Sequence, residues 1–223
     1  MDDIASNIRN LRHRVPPDVK IVAVSKTKPV SAIMEAYNAG QRLFGENRVQ
    51  ELLQKKDQLP SDISWHLIGH LQSNKVRSVV PFISMIQSVD SRKLLRVIND
   101  EAARTGRIID CLLQIYIAEE ETKYGFTADE AAGTLDSEEF RSMRSVRICG
   151  VMGMATFTDD EVQVRKEFRF LADSFKWLKD RFFTDDESFR EISMGMSGDY
   201  TTAIGEGSTM VRIGSLIFGS RSR

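Results

Sequence analysis

Eight short apolar runs recur along the 223-residue chain, most of them followed by a stripe of apolar residues at helical spacing, and this alternation constrains the fold more than any other feature. Read as strands, the runs cover residues 21 to 26, 42 to 44, 64 to 69, 85 to 89, 111 to 117, 146 to 152, 190 to 194 and 210 to 218. Between them, Val30, Ile33, Met34 and Tyr37 stripe a helix that stops at Gly40, and Val49, Leu52 and Leu53 stripe one that ends by Pro60. Ser73 is placed to cap a short helix carrying Val76, Val79 and Val80, which Pro81 prevents from continuing. Asp90 or Ser91 caps a helix whose Leu94, Leu95, Ile98 and Ala102 share one face, and a long helix after Asp159 carries Phe168, Leu171, Phe175, Leu178 and Phe182. A polar loop at residues 119 to 123 leads into a helix-rich stretch through Met143, and a short helical piece follows the glycine-rich residues 195 to 198.

Alternating strands and helices imply a parallel sheet covered by helices. The length suits one large barrel or two modest domains, and no proline, glycine or serine linker divides the units. A doubly wound open sheet is the alternative. The regular count of eight favours a single-domain α/β fold, a closed (β/α)8 TIM barrel over 1 to 223. Within it, residues 1 to 17 form an extra leading helix, with Ile4, Ile8 and Leu11 on one face, and a linker through Pro16-Pro17; residues 18 to 223 form the barrel.

A net charge of -1 gives no electrostatic reason to expect nucleic acid. No apolar run approaches the roughly 20 residues of a spanning helix, and Met1-Asp2-Asp3-Ile4 lacks the basic start of a signal peptide, so a cytoplasmic protein without membrane partners is expected. Cys111 and Cys149 lie in apolar runs without a C-x-x-C pairing and read as reduced core residues. No interface is legible; a monomer or weak dimer is expected.

In such a barrel, chemistry gathers at the carboxyl ends of the strands, with phosphate against the loops after strands seven and eight. Those ends carry Lys26, Asn47, His66 to His70, Asp90, Met152-Gly153, Ser193 to Ser197 and Arg212 to Ser215. Alternation sets Lys26 on the face of Val22 and Val24, so its amine is either a rim charge or a desolvated nucleophile able to form a Schiff base. Ser197, Gly198, Gly214 and Ser215 offer small side chains and accessible N–H groups for a phosphate, or simply tight turns. Arg212, inside an apolar run, needs an acceptor: a carboxylate such as Glu46 or Asp90, or a ligand atom such as a pyridine nitrogen. An imine-forming lysine, a phosphate cradle and an arginine for a ring nitrogen together suit pyridoxal 5'-phosphate.

Other candidates are weaker. His66 and His70 have metal-like spacing but no nearby third ligand, so hydrogen bonding or site lining is expected of them and no metal. Lys28 and Lys75 read as solvated lysines or anion contacts, residues 123 to 125 as a rim, and the methionines of 152 to 154 and 194 to 196 as packing that could also border a flat ring.

Five motifs extend this reading: Ala23-Val24-Ser25-Lys26-Thr27-Lys28-Pro29, Phe44-Gly45-Glu46-Asn47-Arg48-Val49-Gln50-Glu51, Trp65-His66-Leu67-Ile68-Gly69-His70-Leu71-Gln72-Ser73-Asn74-Lys75, Ser193-Met194-Gly195-Met196-Ser197 and Met210-Val211-Arg212-Ile213-Gly214. With them the chain resembles, over nearly its whole length, the pyridoxal phosphate homeostasis proteins, barrels similar to the N-terminal barrel of alanine racemase. The resemblance implies that Lys26 holds the cofactor covalently as an aldimine and Arg212 faces the pyridine nitrogen. Ser197, Gly214 and Ser215 would lie near the phosphate, and Asn47 and Met152 would line the ring. Alanine racemase carries a second, β-rich domain with a tyrosine acid/base, whereas this chain ends soon after strand eight. The expected function is therefore a carrier that keeps vitamin B6 and amino acid pools balanced and hands the cofactor to pyridoxal-phosphate-dependent apo-enzymes, without efficient catalysis. The alternative is an amino acid racemase using Tyr124, Tyr200 or a histidine as opposing base; a more distant one is a Schiff-base enzyme for phosphorylated sugars.

Overall fold

The computed structural model describes residues 3 to 118 and 124 to 219; the expected polar loop at 119 to 123, and with it Lys123 of the expected rim, lies outside them. Helix α1 (Ile4–Arg14) begins where the Asp3 carboxylate accepts the Ser6 N–H at 2.6 Å, and its Ile8 and Leu11 face the core as their spacing requires. The chain then runs β1 (Lys20–Val24), α2 (Val30–Asn38), β2 (Leu43–Glu46), α3 (Val49–Lys56) and β3 (Ser64–Leu67). A 3-10 turn (Ser73–Lys75) leads into α4 (Val76–Val79), followed by β4 (Met85–Val89), α5 (Arg92–Arg104) and β5 (Ile109–Gln114). Two short helices, α6 (Ala128–Leu135) and α7 (Glu138–Ser142), precede β6 (Val146–Met152), the long α8 (Glu161–Phe182) and β7 (Glu191–Ser193). The described chain ends with α9 (Tyr200–Gly205), β8 (Met210–Ile213) and α10 (Ser215–Phe218).

All eight strands pair in parallel and in sequence order, and β1 closes on β8 with Lys20 opposite Met210 and Ala23 opposite Ile213. The fold is thus a (β/α)8 TIM barrel rather than an open sheet. Strand alternation divides the core into two layers. Val22, Met85, Leu112, Cys149, Met152 and Met210 fill the barrel interior, while residues such as Ala23, Phe44, Leu113 and Val211 pack outward against the helices. Burial raises the thiol pKa of Cys111 and pushes that of Cys149 up to about 12, and both cysteines are free. No helix among the described residues is long and apolar enough to cross a membrane.

Several expected boundaries move. Strand β1 stops at Val24, so Lys26 stands two residues past it, in a turn where Thr27 has φ of 64°. Strand β2 continues past Phe44 through Gly45 and Glu46, whose buried carboxylate meets Ser25 and Lys55. The eighth run, read as one strand through Phe218, divides at Gly214: its carbonyl accepts the Ile217 and Phe218 N–H groups at 3.0 and 2.9 Å and starts α10. Short apolar runs carry no period that separates strand from helix. Strand β5 starts at Ile109 and ends at Gln114, β3 stops at Leu67, and β7 spans only Glu191–Ser193. Ser73 opens the 3-10 turn without a capping hydrogen bond, whereas Ser91 caps α5 through the Leu94 N–H.

Candidate functional site

The loops at the carboxyl ends of the strands enclose a cavity of about 500 Å³, a size typical of small-molecule sites. Lys26, Asn47, Ser197, Arg212, Gly214 and Ser215 all line it. Met152 does not: it is fully buried among the methionines and Val22 of the barrel interior, so it packs beneath the site instead of facing a ring. The walls also include Met154 and Met196 of the methionine runs, and residues that carried no signal in the sequence, among them Asp199 and residues 155 to 158 of the β6–α8 loop, where Phe157 is 96% exposed.

The wall at β1 is made by the Lys26 turn, with Lys26 itself half-buried. Its neighbour Lys28, read as a solvated lysine or an anion contact, also lines the cavity, donates to the carbonyls of Phe218 and Gly219 at 3.0 and 3.2 Å and ties this turn to the end of α10. Asn47 follows β2 directly, and a Cβ at Gly69 would come within 2.4 Å of its carbonyl oxygen, so the loops after β2 and β3 meet there only because residue 69 has no side chain.

Arg212 lies on β8, 4% exposed, and neither carboxylate that stood open as its partner touches it. Glu46 faces the helix layer, 2.8 Å from Lys55, and Asp90 pairs with His70 at 2.9 Å on the rim. Arg212 instead donates to the Ser193 carbonyl (2.8 Å), the Ser193 hydroxyl (2.7 Å) and the Gly153 carbonyl (2.9 Å). Burial lowers its pKa to about 10, against the opposing charge of Asp199, so it stays cationic at neutral pH. The Ser193 hydroxyl in turn donates to Gln87 Oε1 at 2.7 Å, and Gln87 Nε2 lies 2.8 Å from His66 Nδ1. Since the amide donates, the His66 ring accepts at Nδ1; desolvation, with a smaller contribution from Lys20, depresses its pKa to about 3 and keeps it neutral. His66 thus ends a polar chain inside the barrel, and His70 stands apart from it at the rim.

Across the cavity, the Ser197 hydroxyl accepts the Gly214 N–H at 3.3 Å, joining the loops after β7 and β8. A Cβ built at Gly198 meets no protein atom within 4 Å, so space remains at this wall for an anion against hydroxyl and N–H groups. Asp199 accepts the Met196 N–H, which fixes the loop, and burial raises its carboxyl pKa. Amine, guanidinium and anion wall face one cavity, a donor set that fits pyridoxal phosphate. Tyr124 is exposed with its ring 5.0 Å from that of His70, Tyr200 is buried on α9, Lys75 lies in the 3-10 turn, and none of the three lines the cavity.

Fold and site together define a barrel of the alanine racemase type. The family described as "Alanine racemase, N-terminal domain" matches residues 1 to 222. The pyridoxal phosphate homeostasis protein of Synechocystis is 38% identical, the match covering 93% of this chain and 94% of that protein. Its counterpart in Escherichia coli K12 is 36% identical, with 99% and 98% covered. Among solved structures, PipY of Synechococcus elongatus PCC7942 with pyridoxal phosphate bound is 36% identical, with a TM-score of 0.87 over 97% of this chain and all, 100%, of that one. An alanine racemase of Clostridium difficile, 15% identical, shares the fold at a TM-score of 0.75 and is spanned over 57% of its length. The chain belongs to the pyridoxal phosphate homeostasis protein family, as the motif resemblance implied.

Proposed function

We propose that this protein binds pyridoxal 5'-phosphate in the barrel-mouth cavity, attached to Lys26, and acts in vitamin B6 and amino acid homeostasis by holding the cofactor and releasing it to apo-enzymes. The observation that carries the reading is the convergence of Lys26, Arg212 and the Ser197–Gly214 wall on one cavity of suitable volume. PipY, solved with the cofactor bound, supports it over 97% of this chain. The cofactor, when bound, supplies an aldehyde that condenses with a primary amine and a pyridine ring that can act as an electron sink. Lys26 supplies the amine from a half-buried position on the cavity wall. Arg212, fixed by two carbonyls and a hydroxyl, presents a cation to the ring nitrogen and opposes its protonation, which weakens the electron sink. Ser197, Gly214 and Ser215 orient the phosphate, and Asn47 borders the ring.

Holding is favoured over turnover because none of the residues open as an opposing base, Tyr124, Tyr200, His66 and His70, is among those lining the cavity. The protein is read as a cytoplasmic monomer or weak dimer. The test is the absorbance spectrum of the protein mixed with pyridoxal phosphate: an imine band distinct from the free cofactor is expected, absent in Lys26→Ala. A spectrum unchanged by that substitution would remove the reading.

A further inference from the structure

We propose that the buried Glu46–Lys55–Glu51 network on the helix side of β2 positions Lys26 for covalent attachment, by clamping the backbone on both sides of it; the proposal rests on the role given to Lys26 above. Helix α3 places Glu51 and Lys55 one turn apart, and both side chains reach inward to the turn after β1. The Lys55 ammonium has three protons and uses all of them: on the Ser25 carbonyl at 2.9 Å, on Glu46 Oε1 at 2.8 Å and on Glu51 Oε1 at 2.6 Å. Glu46 Oε1 also accepts the Ser25 hydroxyl at 2.7 Å, and Glu51 Oε1 accepts the Thr27 N–H. Residues 25 and 27 are therefore each bonded to a charged group, and residue 26 lies between two fixed peptides.

Three observations separate this arrangement from an ordinary stabilising ion pair. A buried pair is weak evidence for stability, since apolar residues of similar volume often serve as well. Here Glu46 is fully buried, and its Oε2 has no hydrogen-bond partner among the described residues, a cost that tight packing alone would not select. Next, the hydrogen bonds of the three side chains beyond their own ion pairs go to Ser25 and Thr27, the two neighbours of Lys26. Finally, Thr27 is the one non-glycine described residue with positive φ, at 64°, and its side chain is exposed, so packing does not hold it there. A β-branched residue in that region is strained and persists only where surrounding bonds impose it. The Glu51 carboxylate on its N–H is such a bond, and the left-handed turn it maintains sends the chain from β1 toward α2 with Lys26 on the cavity wall.

Two variants test the role: Glu51→Ala, which releases Thr27, and the double variant Glu46→Gln with Lys55→Met, which removes the two most buried charges together and leaves the partly exposed Glu51 carboxylate on the Thr27 N–H. Three quantities are measured: the rate at which the imine band appears on mixing with pyridoxal phosphate, the dissociation constant for pyridoxine 5'-phosphate, and the thermal midpoint of the ligand-free protein. Pyridoxine 5'-phosphate lacks the aldehyde and reports the rest of the site. Both variants are expected to slow attachment about tenfold or more while pyridoxine 5'-phosphate affinity stays within about twofold. Adding Thr27→Gly to Glu51→Ala is expected to return the thermal midpoint, since glycine accepts positive φ, but not the attachment rate. Attachment at the wild-type rate in either folded variant, equal losses of rate and affinity, or recovery of the rate by Thr27→Gly would each overturn the positioning role. A wild-type protein that forms no imine band would remove the reading of Lys26 and this proposal with it, whereas a wild-type band with unchanged variants removes only the proposal.

Discussion

At Arg212 the barrel satisfies a buried cation with neutral acceptors, and each has a calculable consequence. Ser193 is the pivot, since its hydroxyl accepts from Arg212 and donates to Gln87. Ser193→Ala leaves both without that partner and is expected to lower stability by about 1–3 kcal/mol in urea unfolding. His66, at the far end of the chain, has a folded pKa of about 3 set mainly by desolvation, below the ordinary value of 6.5. Between those values the unfolded chain binds a proton that the folded chain excludes, so stability is lost as pH falls through that window and regained as it rises, by up to about 1.4 kcal/mol per pH unit. In His66→Asn the difference in unfolding free energy between about pH 7 and about pH 5 is expected to shrink accordingly; a slope equal to wild type would contradict the neutral buried ring. His66 was visible in the sequence as a polar residue within a strand, but its partner Gln87 was not, because the two lie 21 residues apart on adjacent strands.

Among the elements, β5 and β6 show how one backbone atom can decide a strand. Their register shifts between Cys111 and Leu112, opposite Gly150, whose φ is 148°. A Cβ there would lie 1.8 Å from the Glu191 carbonyl oxygen on β7, which is backbone and cannot turn aside. Gly150→Ala is expected to cost about 3 kcal/mol or more, or to prevent folding, measured by thermal unfolding and soluble yield. Gly133 is the control: it sits inside α6 with nothing within 4 Å of the place a Cβ would take, so Gly133→Ala is expected to stabilise by about 0.5–1 kcal/mol. Element identity followed legibility of period. The 22 residues of α8 repeat their apolar stripe often enough to be read directly, whereas four-residue α10, whose Leu216, Ile217 and Phe218 resemble strand residues, became a helix only because Gly214 turns the chain.

For the whole molecule, closure of β1 on β8 joins residues about 190 positions apart, and the site is made only when that closure brings Lys26 beside Arg212 and Gly214. A barrel with no free sheet edge is expected to unfold in one cooperative transition, by both fluorescence and circular dichroism. Pyridoxal phosphate at about 100 times its dissociation constant is expected to add about 2.7 kcal/mol, raising the midpoint by roughly 5–10 °C, with a smaller rise in Lys26→Ala.

The amino-acid sequence by itself determined the eight strand and helix units, the parallel barrel they build and the lysine and arginine at its mouth, because local period and residue chemistry carry these, while the family followed from the resemblance of its five motifs. The tertiary structure decided the rest. It withdrew Met152 from the cavity into the barrel interior, replaced a carboxylate partner of Arg212 with Ser193 and Gly153, and brought Asp199 and the β6–α8 loop to the walls. It also set Glu46, Glu51 and Lys55 behind the Lys26 turn. These relations join separate strands and helices across the barrel, and distances of that kind are fixed by closure and packing, which no stretch of local sequence records.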